Sequence, residues 1–91
     1  MFIHIGNSKN IRECDIIGIF DTDNATLSSA TTRTYLREAE KKGETEAAGT
    51  DIPKSFVLYT HRTYGKKDGY RICFSELSTS ALIQRLDLNI F

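Results

Sequence analysis

The sequence predicts an α+β fold: a mostly antiparallel β-sheet, one middle helix, one short C-terminal helix and a long β-hairpin at about residues 55–75. Three observations predict it. Runs rich in β-branched and aromatic residues recur at both ends of the chain, as in Asp15-Ile16-Ile17-Gly18-Ile19-Phe20 and Ser55-Phe56-Val57-Leu58-Tyr59-Thr60. Between them, Thr32, Tyr35, Leu36 and Ala39 fall at helical spacing. A turn-forming Asp68-Gly69 pair separates two strand-like segments late in the chain.

Taken in order, Phe2-Ile3-His4-Ile5 reads as a strand that ends at Gly6, with Asn7-Ser8 supplying turn chemistry. Ile11-Arg12-Glu13-Cys14 leads into the run 15–20, where Gly18 suggests a bulge or a close backbone approach. Asp21-Thr22-Asp23-Asn24 breaks that strand. Ser28 or Ser29 is placed to cap the middle helix, Glu38 precedes Lys42 in the favourable order, and Gly43 ends the helix. Residues 44–51 read as a polar loop with a short extended stretch. Ser55–Thr60 and Tyr70–Phe74 should pair as an antiparallel ribbon, turning at Lys66-Lys67-Asp68-Gly69. Ser78 caps a short second helix with Leu82, Ile83 and Leu86 on its apolar face. Residues 86–91 alternate apolar and polar with period two, and this apolar tail is expected to dock.

Ninety-one residues make a single domain, 1–91, with a modest core. A hydrophobic share of 40% with 26% charged residues excludes disorder, and the formal net charge of zero excludes a uniformly basic coat for nucleic acid. No apolar run approaches the roughly 20 residues that span a bilayer, so no membrane partner is expected. Met1 runs straight into Phe2-Ile3-His4-Ile5 without a charged leader or signal core, so the expected location is cytoplasmic. In that compartment Cys14 and Cys73, in strand-like segments with no CxxC, read as reduced packing residues.

The chemistry of catalysis is missing from the pattern. His4 and His61 stand singly, without HxxxH or HExxH spacing, and read as strand histidines with hydrogen-bond partners. Asp21-Thr22-Asp23-Asn24 opens like a calcium loop, but Thr26 and Thr32 stand where glycine and glutamate are required. The glycines form no phosphate-binding loop, and the serines and threonines at 26–34 and 75–80 suit capping and turns. The expectation is no enzyme, no cofactor, no metal and no small-molecule substrate.

Charge is distributed unevenly. Residues 1–53 carry a net −3, residues 54–71 a net +4, and residues 72–91 a net −1. The basic stretch holds Lys54, Arg62, Lys66, Lys67 and Arg71, interleaved with Tyr59, Tyr64 and Tyr70. A basic, aromatic two-stranded ribbon suits a DNA groove, whereas lysines on a solvated hairpin also serve simply to prevent edge-to-edge aggregation.

Phe2-Ile3-His4-Ile5-Gly6 followed by Asp15-Ile16-Ile17-Gly18-Ile19-Phe20-Asp21 resembles the opening of the RemA/RemB-type extracellular matrix regulators, bacterial proteins linked to biofilm matrix genes. The likeness continues through Tyr35-Leu36, Pro53-Lys54-Ser55-Phe56-Val57 and Ser75-Glu76-Leu77-Ser78-Thr79-Ser80-Ala81-Leu82, and the RemB-like branch is the nearer one. The resemblance implies a cytoplasmic, non-enzymatic regulator that assembles into a ring-shaped homo-oligomer. It implies double-stranded DNA as partner, bound by RemA-type members through arginines just before the strand matching Phe56-Val57-Leu58. Here that stretch is Asp51-Ile52-Pro53-Lys54-Ser55, where only Lys54 is basic, and residues 61–69 look like an insertion carrying Arg62, Lys66 and Lys67. The expected nucleic-acid contacts are therefore Lys54, Arg62, Lys66, Lys67 and Arg71. The alternative is an oligomeric scaffold or protein-interaction module that binds no DNA.

Overall fold

The computed structural model describes residues 2–6, 9–24, 29–49 and 52–90, with the side chains of 87–90 excepted. Strands β1 (Phe2–Gly6) and β2 (Lys9–Arg12) form an antiparallel hairpin, and a 3-10 turn at Glu13–Asp15 follows. Next come β3 (Ile16–Asp21), helix α1 (Ala30–Lys41), β4 (Thr45–Ala48), β5 (Ser55–Thr63), β6 (Lys66–Ser75) and helix α2 (Thr79–Ile90). The main sheet has four strands in the order β3-β5-β6-β4, antiparallel except where β4 runs parallel to β6. This is the expected α+β architecture.

Strand alternation sorts the sheet residues onto two faces. On one face Val57 and Cys73, paired across β5 and β6, are buried with Ile3, Ile5, Ile11 and Leu82. The β1–β2 hairpin and α2 therefore cover this side. Two buried serines fasten it. The Ser75 hydroxyl donates to the Ile5 carbonyl at 2.7 Å, and the Ser55 hydroxyl donates to the Leu77 carbonyl at 2.7 Å. On the other face Phe56, Ile72 and Ala39 form a second cluster beneath α1, with Leu36 packed against it. Phe20 stacks on Phe56 at 5.1 Å between centroids, its ring lying over the bare Cα of Gly18 beside the bulge expected there.

Several local expectations hold. The Thr32 amide donates to Ser29 Oγ at 3.1 Å, the Ala81 amide donates to Ser78 Oγ at 3.2 Å, and Gly43 closes α1 at φ +71°. Others change. Glu38 pairs with Lys41 at 3.8 Å rather than with Lys42, since a three-residue step also places two side chains on one helix face. Cys73 is a packing residue, but Cys14 is exposed in the 3-10 turn, its Sγ 3.9 Å from Asp15 Oδ1. The residues 86–90 continue α2 to Ile90 instead of forming an extended tail, because intrahelical hydrogen bonds override a weak period-two pattern. Residues 45–48 form an edge strand rather than mainly loop. Ile83 is 46% exposed and only partly serves the apolar face of α2. The Asn7-Ser8 turn, the Ser28 cap and the docking of Leu88, Ile90 and Phe91 fall outside what is described.

Candidate nucleic-acid interface

The two central strands are longer than their neighbours. β3 pairs with β5 only as far as Tyr59, and β4 pairs with β6 only from Ile72 onward. Beyond those points β5 and β6 pair with each other alone, from Thr60↔Tyr70 to Thr63↔Lys66. The four residues from Thr60 to Thr63, at about 3.3 Å each, extend this free ribbon by about 13 Å before its turn.

The ribbon turns at Tyr64-Gly65, four residues before the expected Asp68-Gly69 pair, and Lys66–Gly69 belong to β6. Both turn residues have positive φ, +53° and +79°. That matches the twist of a two-residue hairpin turn, which needs both central residues in the left-handed region. Gly65 adopts it without cost; Tyr64 does not, because its Cβ crowds the backbone. Asp68-Gly69 instead forms a bulge, with residues 68 and 69 facing His61 alone. The Thr63 hydroxyl donates to Asp68 Oδ2 at 2.7 Å and steadies that bulge.

The five expected cations do not form one patch. Lys54 immediately precedes β5, nine residues from Thr63, so about 30 Å of extended chain separates it from the ribbon end. Arg62 is held by Asp15: its Nε donates to Oδ1 at 2.8 Å and its Nη1 donates to the Gly65 carbonyl at 3.0 Å. Arg71 sits at the ribbon's root, its Nη1 donating to the Gly43 carbonyl at 3.0 Å. Lys66 and Lys67 alone are exposed at the ribbon end, beside Tyr64, which is fully exposed, and Tyr70 at 56%. Tyr59 is buried. The Tyr59 hydroxyl donates to Glu46, and Lys9 pairs with the same carboxylate at 2.7 Å while lying over the Tyr59 ring at 5.5 Å. Burial pushes the Glu46 carboxyl up, but Lys9 and Tyr59 outweigh it and hold the group below its usual range.

These groups open onto a cleft of about 560 Å³ between the β1–β2 hairpin and the root of the ribbon. Arg12, its Cζ 5.6 Å from the Phe2 ring centroid, lines one wall, and Arg71 and His61 line another. His4 bonds Asn10 as expected, at 3.1 Å, but His61 Nδ1 has no hydrogen-bond partner and lies 3.9 Å from Asp68 Oδ2. The cleft is invisible in the sequence because its residues come from separate strands with no shared spacing. Among the described residues no three His, Cys, Asp or Glu side chains group as metal ligands, and no helix is long and apolar enough to cross a membrane. No known protein-family model matches the chain, and no curated protein matches it.

Proposed function

We propose that the chain is a non-enzymatic regulator that binds double-stranded DNA with the free end of the β5–β6 ribbon, several copies of which a ring-shaped homo-oligomer presents together. One observation carries this reading. Tyr64 occupies a left-handed turn position that costs a non-glycine residue on the order of 1 kcal/mol, yet its side chain is fully exposed and packs against nothing. Strain without packing in return is characteristic of a residue kept for contact with a partner. Lys66 and Lys67 follow it at the start of β6, a pairing of cations and an aromatic that suits phosphates with adjacent bases. A single ribbon with two free lysines binds weakly at physiological salt, and repetition around a ring would supply the avidity. The resemblance to biofilm matrix regulators supports a target among matrix-type genes in the cytoplasm of a bacterium. Fluorescence anisotropy with labelled duplex over a salt series tests the reading: binding should weaken steeply with salt, and salt-independent or absent binding would overturn it.

A second reading, a scaffold that binds proteins and no DNA, draws on different residues. Ile17 at 53%, Phe20 at 40% and Ile83 at 46% exposure leave apolar surface that self-assembly or a protein partner would cover. Light scattering that reports a monomer at micromolar concentration would remove the ring from both readings.

A further inference from the structure

We propose that the cleft between the β1–β2 hairpin and the root of the ribbon is a phosphate-binding site, separate from the ribbon end and not dependent on the DNA reading. Four cations line it, Lys9, Arg12, Arg62 and Arg71, against two carboxylates, Asp15 and Glu46. Both carboxylates are already matched: Asp15 holds Arg62 at 2.8 Å and Glu46 holds Lys9 at 2.7 Å. Arg12 and Arg71 remain in excess.

Their geometry favours a tetrahedral oxyanion. Arg12 lies over the Phe2 ring with its Cζ 5.6 Å from the centroid, a cation–π contact that holds the guanidinium at the cleft wall without using its N–H donors on a carboxylate. Arg71 is steadied by one nitrogen on the Gly43 carbonyl, so less of its side-chain entropy is lost when the rest of the fork engages a ligand. Guanidinium forks match phosphate oxygens with paired, charge-assisted hydrogen bonds. His61 adds a ring on the same wall with its Nδ1 unbonded. The matched pairs, by contrast, fix the wall. Lys9 is tied at once to Glu46 and to the Tyr59 ring, and Arg62 ties the ribbon to Asp15, so the cleft is built before any ligand arrives. A volume of about 560 Å³ exceeds a bare phosphate and leaves room for the group that carries it. The ligand chemistry is therefore a phosphoester, from either of two sources: a free phosphorylated small molecule or a nucleic-acid backbone.

The test is an NMR titration of the full-length 15N-labelled chain at constant ionic strength, using inorganic phosphate, adenosine 5′-monophosphate and a short DNA duplex in turn. Saturable amide shifts centred on Arg12, Glu46, Tyr59 and Arg71 are expected with the first two probes. Arg12→Gln, at an exposed position outside the core, should weaken phosphate binding about tenfold, as removal of a charge-assisted pair would. Arg71→Lys keeps the charge and removes the fork, and should weaken it as well, while Lys54→Ala changes nothing. Shifts that never saturate, that scatter over the exposed lysines, or that survive Arg12→Gln and Arg71→Lys together would overturn the site. If duplex DNA moves the same amides, and Arg12→Gln lowers its salt slope by about one unit, the source is a nucleic-acid backbone. If DNA leaves the cleft amides in place while the monophosphate saturates them, the source is a free phosphoester. The ribbon reading depends on Lys66 and Lys67 and the cleft on Arg12 and Arg71, so either can fail alone.

Discussion

Strands β5 and β6 are two structures in one. From Ser55 to Tyr59 and from Ile72 to Ser75 they form the middle of a four-stranded sheet, with Val57 and Cys73 fully buried between two covered faces. From Thr60 to Tyr70 the same two strands pair only with each other, and residues 63–70 are all exposed. Pairing continues across the boundary, with one register shift at the 68–69 bulge; what stops is the flanking strands and the layers above and below. Below the boundary a side chain is chosen by packing, and above it by the solvent or by a partner. That division explains why the ribbon accommodates Lys66, Lys67 and a strained Tyr64 at no cost to the core, and why its aromatics differ, with Tyr59 buried and Tyr64 bare.

The contrast can be broken most severely in the lower half. Leu82 is fully buried against that half, so Leu82→Ala should destabilise by about 2–5 kcal/mol, read from urea unfolding. A loss near that of an exposed site would mean that α2 does not seal the face.

A proton linkage gives the next effect. Burial, with the Glu46 carboxylate second, pushes the Cys73 thiol from 9.0 up to about 11, and burial with the Glu46 hydrogen bond raises the Tyr59 phenol too. The folded state then keeps protons that the unfolded chain releases. Stability from these groups is complete below pH 9 and falls as pH climbs toward 11. Melting temperatures measured from pH 7 to 10.5 should drop above pH 9, and Cys73→Ala should make that drop shallower. An identical slope in the variant would remove Cys73 as a source.

Above the boundary the effects shrink and change sign. Tyr64→Asn places a residue that tolerates positive φ in the turn, and should raise stability by about 0.5–1 kcal/mol while weakening DNA binding. A destabilised variant would show that the Tyr64 ring packs in solution. Replacing Lys66 and Lys67 by glutamate should move stability by no more than about 0.5 kcal/mol, since neither side chain has a packing role.

The same boundary separates what the sequence reveals from what it hides. Ser29, Gly43 and Ser78 are legible as helix ends because capping depends on local chemistry, and the long apolar runs are legible as strands. The hairpin turn is easily misplaced because Asp68-Gly69 is the stronger local signal and tyrosine is rare at positive φ. The length symmetry of the two strands about Tyr64-Gly65 carries the right answer. Strand β4 has no periodicity to betray it, since Thr45-Glu46-Ala47-Ala48 gains its place only from the parallel edge of β6. The five cations look like one site because they are close in sequence. Strand geometry separates Lys54, and the buried Asp15, remote in the chain, removes Arg62.

The free ribbon end, dispensable for the fold, is where we propose that the chain meets DNA. The most direct measurement is the salt dependence of duplex binding for the parent and for the Lys66→Glu, Lys67→Glu double variant, each first shown to have the same melting temperature. The parent should bind with a steep salt dependence. The double variant should bind far more weakly, its slope shallower by about one unit for each phosphate that a subunit no longer touches. Equal affinity and slope in the two proteins would contradict the account, and so would binding by the double variant that Lys54→Ala then abolishes.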